Sequence, residues 1–142
     1  MVRAATTTLT IGSSMKTYSK LLPALLLLIL VVPQVGGEPP ENGKHVEYHE
    51  NGQKMSESNY KNGKLNLFTL WYKNGQKESE THFRNGKREG LLTLWYPNGQ
   101  KRSETHYKNG KEDGLGTYWY ENGQKALEIE YKDGKEISRK EF

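Results

Sequence analysis

One segment recurs along this chain, and its spacing constrains the fold more than any other feature. The segment Leu91 to Lys101 reads Leu-Leu-Thr-Leu-Trp-Tyr-Pro-Asn-Gly-Gln-Lys, and altered copies begin at Leu67 and Leu115. A more divergent copy covers Val46 to Lys54. The Asn of the four copies falls at positions 51, 74, 98 and 122, which gives a period of roughly 23 to 24 residues. A period of this length is typical of a repeat array in which each unit stacks on its neighbours.

Two families of Asn-Gly turns alternate between the recurring segments. An Asn-Gly-Gln family alternates with an Asn-Gly-Lys or Asp-Gly-Lys family at intervals of roughly 9 to 13 residues. Asn-Gly favours a two-residue type I′ hairpin turn, because both central residues of that turn need a positive φ. The chain is therefore predicted to be all-β, an antiparallel meander of about eight strands over residues 43–136, with no helix. The structural turns of the first family are Asn51, Gly52, Asn74, Gly75, Asn98, Gly99, Asn122 and Gly123.

Two-residue turns determine which residues of neighbouring strands face each other. The expected partners are Leu94 with Ser103, Leu92 with Thr105, Trp95 with Arg102, Thr105 with Gly114, and Ser103 with Gly116. A bulge would change these pairs, and bulges are not visible in the sequence.

The same register divides the side chains between two faces. The apolar-rich leucine–tyrosine face, expected to be the buried or concave one, carries Phe68, Leu70, Tyr72, Phe83, Leu92, Leu94, Tyr96, Tyr107, Tyr118, Tyr120, Leu127, Ile129 and Tyr131. The tryptophan face carries Thr69, Trp71, Glu80, His82, Thr93, Trp95, Arg102, Glu104, His106, Thr117 and Trp119.

Composition excludes several functional classes. The 142 residues include no Cys, which rules out a disulfide scaffold and a thiolate metal site. Three of the 21 Lys and Arg residues precede residue 38, and none of the 17 Asp and Glu residues does, so the repeat body is nearly balanced in charge. Nucleic-acid-binding proteins usually present a basic patch. A nucleic-acid partner is therefore not expected.

The N-terminal segment has the organisation of a secretory signal. Lys16 and Lys20 precede an apolar stretch from Leu21 to Val32, which as a helix would span roughly 18 Å and fall short of a bilayer core of roughly 30 Å. Small residues follow at Val35-Gly36-Gly37. We expect residues 1–37 to be a signal peptide cleaved after Gly37, with Met15 a candidate true start. An uncleaved anchor is the alternative.

The signal would direct export, and the chain that remains after cleavage would be in the periplasm or the medium. Residues 38–42 then form a short linker with paired prolines, and residues 137–142 form a C-terminal cap.

No residue pattern in the chain indicates catalysis, a metal or a cofactor. His82 and His106 occupy equivalent repeat positions roughly 9 to 10 Å apart, too far for one zinc ion. The paired carboxylates, such as Glu78 with Glu80, alternate with Lys and Arg and lack an apolar pocket that would raise a pKa. We expect no catalytic, metal-binding or cofactor-binding residues and no enzymatic activity.

The recurring tryptophans are the candidate partner-binding residues. Trp71, Trp95 and Trp119 form a column on the tryptophan face, together with Arg102, His82 and His106. Trp and Arg are frequent anchors of protein interfaces. The structural alternative is a stack that stiffens the sheet, and Trp95 with Arg102 could form a cation–π pair under either interpretation.

The repeat motif resembles a known family. The pattern Gly-x-x-x-x-Trp-Tyr-x-Asn-Gly-Gln, followed by Glu-x-x-Tyr/Phe-x-Asn-Gly-Lys, is carried by Gly90 to Lys111 and by Gly114 to Lys135. It is similar to the MORN-repeat variant of bacterial proteins, and whole chains of this kind resemble the YwqK family of antitoxin or immunity components. Asn66 stands where the other repeats have Gly90 and Gly114, so the first inter-repeat step is expected to differ.

The resemblance implies a non-enzymatic binding protein with a protein partner, such as a toxin. Export is unexpected for a protein that neutralises a cytosolic toxin. The alternative is a structural or surface module that contacts membrane lipid headgroups or cell-wall glycan, by analogy with related repeats.

Overall fold

The computed structural model describes residues 40–142, which form one open antiparallel sheet. The all-β prediction is confirmed, with nine strands in place of about eight, and residues 40–142 contain no helix and hence none able to span a membrane. The predicted signal peptide lies outside these residues. The strands are β1 (Gly43–Tyr48), β2 (Lys54–Lys61), β3 (Lys64–Trp71), β4 (Lys77–Arg84), β5 (Lys87–Trp95), β6 (Lys101–Lys108), β7 (Lys111–Trp119), β8 (Lys125–Lys132) and β9 (Lys135–Glu141). Each strand pairs with its neighbours in sequence order.

The two turn families have different backbone geometries. In the Asn-Gly-Lys and Asp-Gly-Lys turns that join two strands, both central residues have positive φ, as at Asn109 (52°) and Gly110 (88°), which confirms the type I′ prediction there. Asn42, which precedes β1, does not have a positive φ. In the Asn-Gly-Gln family only Gly has positive φ, so the type I′ prediction is wrong there. The Tyr96 N–H donates to the Gln100 carbonyl (2.8 Å) and the Gly99 N–H donates to the Tyr96 carbonyl (2.9 Å). These bonds define a three-residue loop that ends in a left-handed Gly.

The longer loop changes the register beside each Trp. Leu94 pairs with Ser103 as predicted, but Trp95 pairs with Lys101 and not with Arg102. Arg102 is the extra residue of a bulge, and this bulge compensates for the extra loop residue. The predicted pairs Leu94 with Ser103 and Leu92 with Thr105 are therefore correct because two offsets cancel.

A second bulge shifts the register between β6 and β7. Tyr107 pairs with Glu112 as two-residue turn geometry requires, but Thr105 pairs with Gly116, not with Gly114. Ser103 correspondingly pairs with Tyr118, not with Gly116. Gly114 lies in the bulge with a φ of +112°, a conformation that L-residues rarely adopt. The shift is two residues, so the side chains keep their predicted faces.

The register shift between the first two repeats differs from the later ones, as expected from Asn66 in place of Gly. Between β2 and β3 the register changes from Asn59–Leu67 to Tyr60–Leu65, a shift of one residue. The β4–β5 and β6–β7 steps, which contain Gly90 and Gly114, shift by two.

The buried side chains lie mostly on the leucine–tyrosine face. Large and small residues alternate across the strands there, so that each small residue is covered by larger neighbours. Ser79, between Leu70 and Leu94, is only 1% exposed. The buried members of this face are Ser56, Ser58, Phe68, Ser79, Thr81, Ser103, Thr105 and Ile129, whereas the other face buries Thr69, Thr93 and Thr117.

Candidate partner-binding face

The Trp column lies on one face, as predicted, and it is interleaved with lysines. The Lys54 ammonium is 4.7 Å from the centre of the Trp71 ring, and the Lys77 ammonium is 5.6 Å from the centre of the Trp95 ring. Each lysine belongs to the repeat that precedes its Trp. In the described part of the chain no cation lies over the Trp119 ring, unlike the rings of Trp71 and Trp95.

A Glu holds each of these lysines in place. The Nζ–Oε distances are 2.9 Å for Lys54–Glu57, 2.6 Å for Lys77–Glu80, 2.6 Å for Lys101–Glu104 and 2.7 Å for Lys125–Glu128. The residues are three apart in sequence, and the bulge beside Tyr48 or the corresponding Trp brings them to the same side of the strand. The Lys–Glu–Trp ladder is therefore a repeated structural unit as well as a surface.

Phe142 extends the Trp column by one position. It follows Trp119 by one repeat period, and the Lys125 ammonium lies 5.2 Å from the centre of its ring. Lys140 lies 4.3 Å from the same ring. The end of the chain thus repeats the cation–π contact of the earlier units.

The predicted pairing of Arg102 with Trp95 is wrong, because the bulge gives Trp95 another strand partner and Lys77 occupies its ring. The Arg102 charge acts instead on the Tyr72 hydroxyl. Burial, followed by the Glu78 carboxylate, raises the pKa of Tyr72, and Arg102 opposes that shift.

His82 and His106 are exposed on the tryptophan face, and each contacts a glycine bulge. Their Nδ1 atoms lie 3.2 Å from the Leu91 carbonyl oxygen and 3.1 Å from the Leu115 carbonyl oxygen. A carbonyl only accepts, so Nδ1 carries the proton and donates in each case. Within residues 40–142 no group of three or more His, Asp or Glu side chains is arranged to hold a metal ion.

Three leucines also lie on the tryptophan face, where the sequence did not lead us to expect them. Leu67 pairs with His82, Leu91 pairs with His106, and Leu115 pairs with Glu130, so all three share the tryptophan face. Leu115 is 42% exposed. Alternation along β3, β5 and β7 places each leucine on the same face as the Trp four residues later, so the strand period was the available signal.

The Asn-Gly-Gln turns form a connected row, which we call the glutamine row. In this row an Asn side chain joins its own turn to the next one. Asn98 Oδ1 accepts from the Gln100 N–H (2.9 Å), and Asn98 Nδ2 donates to the Glu121 carbonyl of the following repeat (2.9 Å). Asn51 and Asn74 make the same two bonds. The residues predicted as structural turns therefore connect successive repeats.

A second series of hydrogen bonds lies beside these turns, from a Tyr hydroxyl of one repeat to the Trp carbonyl of the next. The Tyr72 hydroxyl donates to the Trp95 carbonyl (2.8 Å), and the Tyr96 hydroxyl donates to the Trp119 carbonyl (2.9 Å). In the divergent first repeat His49 takes this position, with Nε2 2.9 Å from the Trp71 carbonyl oxygen. The backbone of the Trp column is thereby held at regular intervals.

The other turns carry a row of cations, which we call the lysine row. In each type I′ turn the two residues that flank Asn-Gly or Asp-Gly are strand partners, and all are basic and exposed. Alternation along the strands places them on the tryptophan face. The members are Lys61 with Lys64, Arg84 with Lys87, Lys108 with Lys111, and Lys132 with Lys135. The balanced net charge concealed this segregation, although the recurring basic-Asn-Gly-Lys motif signals it.

The opposite face carries a tyrosine cluster near its C-terminal end. The Tyr107 hydroxyl donates to Glu112 (2.9 Å), and burial together with that carboxylate raises the pKa of Tyr107 to about 12. The Tyr118 and Tyr131 hydroxyls are 3.1 Å apart. Burial, then this hydrogen bond, raises the pKa of Tyr131. Gly116 leaves room for the rings, since a Cβ there would lie 3.0 Å from Tyr131.

Comparison with known proteins identifies the repeat. No curated protein matches the chain. Among solved structures, a chain of the Glycosylation Associate Protein (Gap123) complex from Streptococcus agalactiae is 20% identical, with a TM-score of 0.42 over 71% of this chain and 19% of that chain. This chain thus matches about a fifth of the length of that protein.

The family model described as MORN repeat variant matches residues 41–62, 64–85, 88–109 and 112–133. Its four matches cover most of the strands and turns described above, and MORN repeats serve generally as non-enzymatic binding or structural modules. The chain belongs to the MORN repeat variant family.

Proposed function

We propose that this protein is exported and acts by binding another macromolecule, a protein, through its tryptophan face. The observation that carries the proposal is the composition of that face. It combines half-buried Trp rings, an exposed Leu115 and basic side chains on one rigid ladder. Aromatic and basic residues of this kind are the usual anchors of protein interfaces.

The size of the face supports a protein partner. Nine strands about 4.8 Å apart, each about eight residues long, give a face of roughly 40 by 26 Å, or about 1,000 Å². A standard protein interface buries about 800 Å² on each partner. One face of this sheet therefore offers enough area for one protein without the other face being used.

Within this proposal, the mode of action is that of an antitoxin or immunity component, as the resemblance to YwqK-type chains suggests. Such a component binds one protein tightly and in fixed stoichiometry. Trp119, whose ring no lysine covers in the described part, is the proposed central contact.

The export step rests on the basic and apolar character of residues 16–32 and the small residues that follow. Intact-mass measurement of the protein from the envelope or medium tests it. A chain that begins at Glu38 supports export by cleavage, whereas retention of Met1 or Met15 contradicts it.

Affinity capture tests the binding function. The full chain with a C-terminal tag is expressed in its native host, and the bound material is identified by mass spectrometry. We expect one stoichiometric protein, lost with Leu115→Glu and retained with Tyr120→Glu, a similarly exposed residue in the glutamine row. Capture of lipid or polysaccharide alone would instead favour a surface module. Circular dichroism checks that both variants keep the sheet.

A further inference from the structure

The lysine row places like charges opposite each other at every turn of one kind. Lys108 and Lys111 are direct strand partners, and the three equivalent turns repeat the arrangement. Like charges at directly opposed positions destabilise a sheet. The type I′ turn needs Asn-Gly or Asp-Gly at its centre but makes no demand for basic flanks. The fold therefore does not explain these eight cations.

Most of these charges are also left without a neutralising partner. Lys132 pairs with Asp113 (2.9 Å), and Arg84 lies 4.0 Å from Glu89. Lys64 donates to the amide oxygen of Asn85, which carries no charge. The other members, Lys61, Lys87, Lys108, Lys111 and Lys135, make no ion pair or side-chain hydrogen bond within residues 40–142.

The lysines near the Trp column provide an internal contrast. Lys54, Lys77, Lys101 and Lys125 each pair with a Glu within 2.9 Å. Both sets lie on the same face, and half of the lysine row belongs to the same strands, β2, β4, β6 and β8. The first set of cations is paired internally, and most cations of the lysine row remain available to an external anion.

We propose that the lysine row docks an acidic segment of a partner protein, with carboxylates bound at successive turns. This inference rests on the proposed function in taking a protein as the partner. Equivalent turns are two strands apart, so the charge pairs repeat at a spacing of roughly 9 to 10 Å along the row. An extended chain rises about 3.3 Å per residue, so carboxylates three residues apart match this spacing.

Carboxylates within the row favour discrete acidic groups over a continuous polyphosphate. Glu89 Oε2 accepts the Asn109 N–H (2.8 Å), and Asp113 Oδ2 accepts the Asp133 N–H (3.3 Å). A polyphosphate lying along the turns would pass over these negative groups, whereas an acidic peptide can place its charges between them. The aromatic column lies at the far end of the strands, beyond the Glu ladder, so it cannot stack bases against a strand held at the row.

Binding of the full chain to biotinylated poly-L-glutamate of about 50 residues tests the proposal, with measurements at low salt and at about 0.3 M salt. We expect salt-sensitive binding that weakens about tenfold with Lys108→Gln/Lys111→Gln and further when Lys61→Gln/Lys64→Gln is added, because the turns act together. Lys73→Glu, in the glutamine row, makes the same change in net charge as the first pair and should bind as the wild type does. Lys108→Arg/Lys111→Arg should retain binding.

Three results would overturn the proposal. These are tighter binding to oligo-dT of matched charge, tighter binding to phosphatidylserine-containing vesicles than to polyglutamate, and an equal loss in the Lys73 control. Polyglutamate replaces the native partner in this experiment. If polyglutamate does not bind, the lysine-row proposal fails, but a partner identified by affinity capture is not affected. Conversely, failure of capture does not alter the polyglutamate result.

Discussion

The two rows of turns show how one dipeptide serves two different purposes. Both rows are built on Asn-Gly, with Asp-Gly at the last turn of the lysine row. In the glutamine row the Asn side chain binds the neighbouring turn, whereas in the lysine row the backbone of the Asn or Asp adopts positive φ. The lysine that follows each turn of the first row is paired with Glu, and most cations of the second row are not. The first row connects repeats to one another, and the second presents charge to solvent.

The residues around the dipeptide account for the difference. In the glutamine row Tyr96 and Gln100 close a three-residue loop, and the Gln76 side chain packs over Gly99 of the next repeat, where a Cβ would lie 3.0 Å from its amide oxygen. In the lysine row the flanking basic residues pair directly, so the loop has only two residues. In the first row the glycine is therefore needed at Gly75, Gly99 and Gly123 both to leave room for the Gln side chain and to adopt positive φ. In the second row it is needed mainly for its positive φ.

Replacing the Asn of each row by Gly should give the largest difference. Asn98→Gly removes the hydrogen bonds with the Gln100 N–H and the Glu121 carbonyl, so we expect a loss of about 2 kcal/mol in the free energy of unfolding. Asn109→Gly should change it by less than about 0.5 kcal/mol, because Gly accepts the positive φ and the Asn109 side chain makes no hydrogen bond in the described residues. Urea titration of both variants measures this difference, and equal losses would show that the rows do not differ energetically.

Removing one hydroxyl should have a smaller effect on the glutamine row. Tyr96→Phe deletes the bond to the Trp119 carbonyl (2.9 Å) and leaves that part-buried acceptor short of a donor, so a loss of about 1 kcal/mol is expected. Tyr120→Phe is the matched control, since the exposed Tyr120 hydroxyl has no hydrogen-bond partner within residues 40–142. If thermal unfolding shows no difference between the two, the tyrosine ladder does not hold the repeats together.

The sequence predicted the architecture better than the site. Period and alternation depend on local chemistry, so the meander and the two faces followed from them. The loop at Asn98 and the bulge at Arg102 could not be predicted, because both depend on hydrogen bonds between strands that no single segment encodes. The cation over Trp95 was consequently assigned to the wrong residue, although a pair involving that ring was anticipated.

The pH dependence of stability in acid should show how much the Lys–Glu pairs beside the Trp column stabilise the fold. Hydrogen bonds from Lys44 and Lys54, both at 2.9 Å, lower the pKa of Glu57 to about 2. The folded-state pKa is below the ordinary value of 4.5, so the stabilisation is complete above pH 4.5 and is lost as the pH falls towards about 2. Solvent screens the pair, so we expect a contribution below about 1 kcal/mol.

Glu57→Gln should reduce the slope of unfolding free energy against pH in this range, which the urea midpoints between pH 5 and about 2 measure. Glu50→Gln, at an exposed residue without an ion pair in the described part of the chain, should leave it unchanged. An unaltered slope in Glu57→Gln would mean that the Lys–Glu pairs do not distinguish the cations of this ladder from those of the lysine row.

The smallest change in stability is expected for substitutions in the lysine row, because the fold does not require its charges. Lys108→Gln/Lys111→Gln relieves the repulsion between directly opposed ammonium groups and keeps the Asn-Gly turn, so the free energy of unfolding should stay the same or rise by less than about 0.5 kcal/mol. The increase should shrink as salt is added, because exposed charges are screened. Urea titration at about 0.02 M and 0.5 M salt measures it. A clear loss of stability would mean that the lysine row supports the sheet, and the contrast between the two rows would then disappear.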